Sequence, residues 1–527
     1  MLTPWASNMM DTTHQFSFFW AHHSAGKSNN KSIDRGSVRS PGDGPQEGQV
    51  PGRQTLNVRV RFAPSPTGYM HVGNVRTALF NWLFARSKNG TFVLRIEDTD
   101  LQRHVEDAMN VITEGLSWLG MDWDEGPGRG GNYGPYFQSE RGELYRRDVE
   151  RLIEAGLAYP CDCELQDRDA DAQCPCRALQ GKQGDRMRDG IAVRFANPGG
   201  TTSFEDIVQG ALDIDNKQFG DFVLIKSDTT PTYNFANVVD DHAMEITHIM
   251  RGDDHLSNTP RQLMLYKALG YRPPEFAHLP QILASDGHRL SKRHGAVSLT
   301  EYRDEGFLPE ALMNYLALLG WSAEGEQEFF SPEELIAQFS LDRVRKSASQ
   351  FDRQKLIHLN SLHMEQLPTG DQAHLALEAL CRAGILEEPI SDDTRDYMGQ
   401  VLEALGSRFK YGDQIIEFGA HFFTEDVTIS EDLYSYLGSP AVRRAIATAR
   451  EALAEVRDWN ESEIEDIVRS SASQFDLKAA PLIHAIRVAL SGATVGPSLF
   501  TLVHLVGQQR SVRRLQTALD QVPEEAT

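Results

Sequence analysis

The chain has little cysteine: five residues in 527. That is too few for a disulfide scaffold at this size and fits a reducing cytoplasm. It has no run of about 18 consecutive apolar residues, so no membrane-spanning helix is expected. Positive charge is also in deficit, with 52 Lys and Arg against 75 Asp and Glu and a net charge of −23. This excludes a chain that is basic throughout. It does not exclude a nucleic-acid partner, because binding needs only a local basic face and acidic surface elsewhere keeps off non-specific RNA. No internal repeat of about 20 to 50 residues is found, which excludes a solenoid. What remains, 40% hydrophobic and 24% charged, is ordinary for soluble globular domains. The length is too great for one core and implies roughly three to five of them.

Residues 1–55 differ from the rest. Gly, Ser, Asn, Pro and His dominate there, and the segment reads as a disordered N-terminal extension without the features of a targeting peptide. Order is expected from Asn57. Val58 to Phe62 alternates and reads as a strand, Val75 to Ala85 has helical spacing, Asn89-Gly90 ends that helix, and Thr91 to Ile96 is a second strand. Strand, turn, helix and strand at this spacing begin a βαβ unit. Helical periodicity resumes at Asp107 to Leu119 and Arg141 to Ala155. Residues 157–232 are mixed, with strand-like runs at Ile191 to Phe195 and Phe222 to Lys226, and read as an insertion. Glu245 to Met250 and Leu279 to Ala284 read as returning strands, with helices at Thr259 to Leu269 and Pro309 to Leu319. From Phe330 onward nearly everything has helical period, broken by turns at Pro368-Thr369-Gly370, Gly384, Gly438-Ser439-Pro440 and Gly496-Pro497.

Two short segments carry chemistry. In Arg61-Phe62-Ala63-Pro64-Ser65-Pro66-Thr67-Gly68-Tyr69-Met70-His71-Val72-Gly73-Asn74 a strand ends, a Pro/Gly turn follows and a helix opens. A helix N-terminus offers free N–H groups and a positive dipole end to phosphate. Gly73 lets a nucleotide approach the backbone, and His71 can donate to a phosphate oxygen as charge builds there. By itself His-x-Gly is weak: with 17 His and 42 Gly, roughly one occurrence is expected by chance, and a helix cap plus a turn explains it equally well. The second segment, Arg289-Leu290-Ser291-Lys292-Arg293, puts three positive charges after the turn Ser285-Asp286-Gly287-His288. Such a loop can close over a triphosphate; a solvated basic loop is the plain alternative.

Taken together the two segments resemble the HIGH and KMSKS signatures of class I aminoacyl-tRNA synthetases, and the wording Arg61 to Gly68 is similar to the glutamyl-tRNA synthetase family. Leu94 to Asp100, Tyr233 to His242, Arg251-Gly252-Asp253-Asp254-His255 and Arg487-Val488-Ala489-Leu490-Ser491-Gly492 agree with it, so the resemblance covers about residues 57–520. There are two departures. Asn74 stands where the HIGH motif ends in His, and Arg289 and Arg293 replace the outer Lys and Ser of KMSKS, while the central Lys292 is kept.

The resemblance implies an α/β Rossmann-like catalytic domain with an inserted acceptor-binding domain, followed by an all-α anticodon-binding region. The expected parts are the catalytic first half (56–136), the insertion (137–232), the catalytic second half with a stem-contact region (233–330), and helical anticodon subdomains at 331–440 and 441–527. It implies His71 and Lys292 as catalytic residues and His71, Gly73, Asn74, Arg289, Ser291 and Lys292 as the ATP site. Arg61, Ser65, Glu97, Tyr233, Asn237 and Arg251 would hold glutamate, and Arg103 would touch tRNA. Guanidinium suits the glutamate carboxylate because its planar fork pairs bidentately. ATP with Mg2+, L-glutamate and tRNA(Glu) are the implied partners, and a monomer the implied state.

Cys161-x-Cys163 and Cys174-x-Cys176 gather four of the five cysteines. Four thiolates match a closed tetrahedral zinc site, and reduced thiols without metal are the alternative. Cys381 lies among apolar helix residues and reads as core. Rival readings weaken on particular segments: a glutaminyl enzyme on Ala63-Pro64-Ser65, and a truncated tRNA-modifying relative or a small-molecule nucleotidylyltransferase on the long helical tail. A catalytically silent RNA-binding relative is disfavoured by intact His71, Arg61 and Lys292.

Overall fold

The computed structural model describes residues 57–66, 70–99, 105–163, 174–179, 190–291, 293 and 298–523. The expected extension 1–55, Arg103 and Lys292 lie outside them.

Strand β1 (Arg59–Phe62) leads into helix α1 (Val72–Ser87) and back to β2 (Thr91–Leu94), which pairs parallel to β1 in the register Arg61 to Val93. Helix α1 is apolar on nearly every side, and Val75, Leu79, Phe80 and Leu83 are all buried, as a helix laid between a sheet and a second helical layer must be. Helices α2 (Val105–Trp118) and α3 (Gly142–Glu154) follow.

The next segment holds β3 (Ala158–Cys161), β4 (Ala192–Phe195), the hairpin β5 (Thr201–Asp206) and β6 (Gly210–Asp215), and β7 (Phe222–Ile225). Strands β3, β4 and β7 form an antiparallel sheet. The hairpin does something else: β5 reaches the catalytic sheet and bridges parallel at Asp206 to Phe276. Thr201, Ser203 and Glu205 on its open face, and the buried polar Asp206 on the other, hid it from periodicity.

Helix α4 (Tyr233–Ala243), β8 (His248–Gly252), α5 (Thr259–Leu269) and β9 (Glu275–Leu279) return to the nucleotide fold. β8 pairs parallel with β9 and abuts β1, where the Thr247 N–H donates to the Arg59 carbonyl at 2.9 Å. The strand expected from Glu245 begins three residues later because Glu245 sits in the left-handed region (φ 54°) as the turn out of α4. The single strand expected at Leu279 to Ala284 is instead two, β9 and the short β10 (Ile282–Leu283), separated by Pro280-Gln281.

Helices α6 (Leu299–Asp304), α7 (Pro309–Leu318) and α8 (Pro332–Gln338), strand β11 (Ser349–Gln350) and helix α9 (Arg353–Met364) close the catalytic side. Helix α8 starts with a capping box between Ser331 and Glu334 and with Pro332 in its first turn. Leu335, Phe339, Leu341, Leu356 and Leu359 join the core of Leu79, Phe92 and Leu116, so this core continues past position 330, where the sequence suggested that the tail begins.

The tail holds α10 (Thr369–Arg382), α11 (Asp392–Leu405), α12 (Gln414–Phe418), α13 (Pro440–Ala454), α14 (Glu461–Ser473), α15 (Ala479–Ser491), α16 (Leu499–Val506) and α17 (Gln508–Gln521). Apolar spacing of three and four, as in Val442, Ala445, Ile446, Ala449 and Leu453 of α13, turns one stripe of each helix inward. A single hydrophobic cluster runs from Leu308 to Val522 through all eight helices. Among the described residues no helix is long and apolar enough to cross a membrane.

His421 lies in this tail core, 7% exposed, with its Nε2 unpartnered. Burial, helped by Arg514 and Arg487, pushes its pKa down to about 3. The unfolded chain therefore takes up a proton near pH 6.5 that the folded tail refuses, so stability falls as pH drops below that value. Denaturant titration of the tail is expected to show a loss approaching about 1.4 kcal/mol per pH unit from this group between about pH 6 and 4. His421→Phe is expected to flatten that slope.

Candidate active site

A cavity of about 760 Å³ opens where β1, β8 and β9 end and α1 begins, the position at which a parallel sheet offers helix N-termini and strand-end side chains to a ligand. Arg61, Ser65, His71, Gly73, Asn74, Glu97, Tyr233, Asn237, Arg251, Arg289 and Ser291 all line it. These residues span some 230 positions of the chain and meet only through the fold.

His71 is the N-cap of α1, with its Nδ1 accepting the Asn74 N–H at 3.4 Å. The helix-cap reading is therefore correct, and it leaves Nε2 to carry the proton and face the cavity. Partial burial, with Arg289 nearby, holds His71 below its ordinary pKa, so it is a neutral donor near pH 7. Gly73 leaves room for this arrangement: a Cβ there would stand 3.2 Å from Cε1 and Nδ1 of the imidazole, so the ring would have to give by a few tenths of an ångström.

Arg61 enters from β1 and is 4% exposed. Its Nε donates to Asp241 Oδ1 at 3.1 Å. Arg95 is fully buried and donates to the same oxygen at 2.6 Å, to Asn237 Oδ1 at 3.1 Å and to Glu97 Oε1 at 3.4 Å. Burial alone would raise the Asp241 carboxyl, but Arg61 and Arg95 outweigh it and hold it below the usual range. Next to it Asp240 accepts from Arg141 Nε at 2.6 Å, Gln138 at 2.7 Å and Tyr145 at 2.9 Å; for this carboxyl burial wins over Arg95 and Arg141 and its pKa rises. Burial also lifts Glu97 above the ordinary carboxylate range, against the pull of Arg95 and Arg61.

Arg251 differs from Arg61. It sits at the end of β8, 5% exposed, and only neutral groups hold it. Nε donates to His278 Nε2 at 3.1 Å, and Nη2 donates to Thr259 Oγ1 at 2.8 Å and Gln262 Oε1 at 2.9 Å. Nη1 is buried without a hydrogen-bond partner. The Tyr233 hydroxyl stands close enough to favour its charge, although burial leaves the guanidinium less basic than usual. Arg251 thus lines the cavity as a buried cation with one nitrogen left unpaired, an arrangement suited to an anion.

The basic loop lies across the opening. Arg289 pairs loosely with Asp254 at 3.6 Å and Arg293 with Asp286 at 3.8 Å, all four solvent-exposed, so these contacts are weak and exchangeable. Arg76, whose role the sequence did not suggest, is a buried residue of α1, bonded to the Leu319 and Pro280 carbonyls, with its Nε unpartnered. Burial lowers it to about 10. Arg95 and Asp241 were also missed as a pair. Their signal was present in two consecutive acids on an apolar helix, which burial obliges to find arginines.

Away from this cavity the four cysteines converge, with the Sγ atoms of Cys161, Cys163, Cys174 and Cys176 all within 4.8 Å of one another. The separations include 3.5 Å for Cys161 to Cys174, 3.3 Å for Cys163 to Cys176 and 3.9 Å for Cys174 to Cys163. Four sulfurs about 2.3 Å from one tetrahedral ion would be about 3.8 Å apart, so the donor set fits a metal of zinc's size and softness.

Comparison with known proteins places the chain. The family described as tRNA synthetases class I (E and Q), catalytic domain, matches residues 57–358, and the anticodon binding domain matches residues 372–519. The chain is 45% identical over 479 residues to the glutamate–tRNA ligase of Moorella thermoacetica, a match covering 88% of this chain and 98% of that protein. It is 43% identical to glutamate–tRNA ligase 1 of Syntrophomonas wolfei, covering 88% and 96%. Among solved structures a glutamate tRNA ligase from Elizabethkingia meningosepticum, in complex with its amino acid, superposes with a TM-score of 0.74 at 31% identity, over 89% of this chain and 100% of that one. The chain belongs to the class I tRNA synthetases of the glutamate and glutamine branch.

The buried charge cluster makes a direct prediction. Asp241→Asn leaves two guanidinium groups, Arg61 and Arg95, facing each other without their shared anion. A loss of about 3 kcal/mol or more in catalytic-domain stability is expected by urea denaturation, since removing one partner of a buried pair strands the other. A loss below about 1 kcal/mol would show that the cluster relaxes to solvent.

Proposed function

We infer that the protein ligates L-glutamate to tRNA(Glu) at the cost of ATP, giving glutamyl-tRNA, AMP and diphosphate. The observation that carries the amino-acid choice is Arg251: a buried guanidinium on the cavity lining with one nitrogen left unpaired, suited to a side-chain carboxylate and unable to pair in the same way with an amide. Arg61 supplies a second guanidinium, Glu97 a carboxylate for the substrate ammonium, and Tyr233, Asn237 and Ser65 further contacts.

The reaction proceeds in two steps. An oxygen of the glutamate α-carboxylate attacks the α-phosphorus of ATP, and diphosphate leaves with the electrons of the broken P–O bond. The 2′-hydroxyl of the terminal adenosine then attacks the acyl carbon, and AMP departs; the 2′ choice follows from class I membership. Magnesium enters with the triphosphate. No protein nucleophile is needed, because orientation and charge stabilisation supply the acceleration. His71 Nε2–H and the N-terminal N–H groups of α1 meet the phosphates. Asn74, where other class I enzymes have a second His, gives a shorter neutral contact. Arg289, Ser291 and Lys292 belong to the loop that follows the departing diphosphate, with Lys292 at its centre.

For the rest of the chain the proposal is that 137–232 meets the acceptor end of tRNA, with Arg103 also on the RNA, and that the helices from α10 onward, not from 331 as the sequence suggested, form two subdomains for the anticodon, dividing near 440. The protein is proposed to act as a cytoplasmic monomer. Zinc would be held by Cys161, Cys163, Cys174 and Cys176. It would supply no chemistry to the reaction and would fasten the end of β3 to the 174–179 segment.

ATP–pyrophosphate exchange tests the catalytic reading. Exchange is expected to require glutamate and tRNA together and to fail with glutamine. His71→Ala and Lys292→Ala are each expected to reduce it by more than about tenfold with folding intact; near-normal rates in both would remove these residues from the chemistry. Metal analysis of protein purified without chelator tests the cysteine site. About one zinc per chain is expected, and a ratio near zero would leave four reduced thiols.

A further inference from the structure

We propose that Asp206 and His278 are positioning residues for Arg251, setting which of its nitrogens is left for the substrate carboxylate. The proposal rests on the reading of Arg251 as a glutamate contact.

The geometry is a buried relay. Asp206 Oδ2 lies 2.6 Å from His278 Nδ1, and both side chains are fully buried. The hydrogen bonds fix the roles. Asp206 Oδ1 already accepts the backbone N–H groups of Val208 at 3.0 Å and Gln209 at 2.8 Å, and both carboxylate oxygens lie 3.2 Å from the His278 N–H. Oδ2 is thus the oxygen left for the ring, and it accepts the Nδ1–H. His278 then presents a bare Nε2 to Arg251 Nε at 3.1 Å, and the same lone pair faces the Thr259 hydroxyl at 3.1 Å. Burial keeps the ring from charging despite its acidic neighbour, so the nitrogen facing Arg251 remains an acceptor.

Two consequences follow for the site. First, with Nε and Nη2 held by His278, Thr259 and Gln262, the guanidinium plane is set and Nη1 is the group that remains unbonded. Second, the acid that orients the relay stands behind the imidazole, not against the arginine. Arg61 is held by a carboxylate directly. Arg251 is oriented with equal definition by neutral acceptors and keeps its charge for an anion. Asp206 also belongs to β5, part of the hairpin inserted between the two halves of the nucleotide fold, where it makes the one residue bridge between β5 and β9. The insertion therefore contributes a structural part of the amino-acid pocket without touching the cavity.

The relay can be reversed by one substitution. In Asp206→Asn the amide oxygen is claimed by the Val208 and Gln209 N–H groups, so the amide nitrogen faces His278 Nδ1. The imidazole proton then moves to Nε2, where it opposes the Arg251 Nε–H. His278→Leu removes the acceptor outright, whereas His278→Gln can return an amide oxygen to the place of Nε2.

Steady-state aminoacylation on the full chain, with KM for glutamate, KM for ATP and kcat measured separately, tests the proposal alongside Arg251→Met. Arg251→Met, Asp206→Asn and His278→Leu are each expected to raise the glutamate KM by about tenfold or more, while the ATP KM stays within about threefold and His278→Gln recovers most of the loss. An unchanged glutamate KM in Arg251→Met would overturn the reading of the pocket itself. A raised value there, with Asp206→Asn folded and unchanged, would overturn only the relay. Should Asp206→Asn fail to fold, His278→Leu and His278→Gln decide: equal losses in the two would show that His278 merely fills space, and a loss confined to Leu supports the relay.

Discussion

Two adjacent carboxylates, Asp240 and Asp241, sit completely buried near the C-terminal end of α4, and the catalytic side is organised around keeping them there. Neither could be buried alone, since desolvating an uncompensated charge costs several kcal/mol. Arg61 comes from β1, Arg95 from the residue after β2, and Arg141 from the cap of α3. Each arginine belongs to a different element, so satisfying the two acids ties the first half of the nucleotide fold to α3 and α4. Asp241 is the deeper anion electrostatically, because it shares two guanidinium groups at close range. Asp240 is held more by hydrogen bonds from Gln138 and Tyr145.

The substrate pocket inherits its character from that cluster. Arg61 faces both the cavity and Asp241, so a ligand carboxylate there meets a cation already partly neutralised. Arg251, also on the lining, hydrogen-bonds only to neutral acceptors. The cavity thus has two unequal cations, with the Glu97 carboxyl beside them, an arrangement suited to a ligand that carries both signs of charge. Beside it a helix N-terminus opens onto the cavity, capped by a histidine that a side chain at Gly73 would crowd. In the basic segment beside the cavity the ion pairs of Arg289 and Arg293 are exposed and exchangeable.

Much of this was legible because the chemistry-bearing residues cluster in contiguous motifs. The strand–turn–helix around His71, the cysteine pairs and the helical tail all announce themselves by local pattern, and eleven of the expected cavity residues meet in one place. What escaped were elements whose identity depends on distant neighbours. Helix α4 was noticed only as a matching segment, because its seven consecutive buried residues include Asn237, Asp240 and Asp241, side chains that a linear pattern assigns to a solvent face. The β5–β6 hairpin was missed because one face is polar and solvated. The end of the catalytic core near 364 was missed because α8 and α9 have the same helical period as the tail, and only packing against Phe80 and Trp321 distinguishes them.

By itself the sequence determined the class of chemistry, since phosphate-binding turns, a basic loop and paired cysteines are local devices whose spacing is written along the chain. It also determined the family, because those devices occur in a fixed order. The tertiary structure alone decided which charges are neutralised and which stay available. Whether an arginine faces an acid, as Arg61 does, or a neutral imidazole, as Arg251 does, depends on residues up to 180 positions away. Coulombic and hydrogen-bond energies follow distance in space, and distance in space is what a linear pattern does not contain.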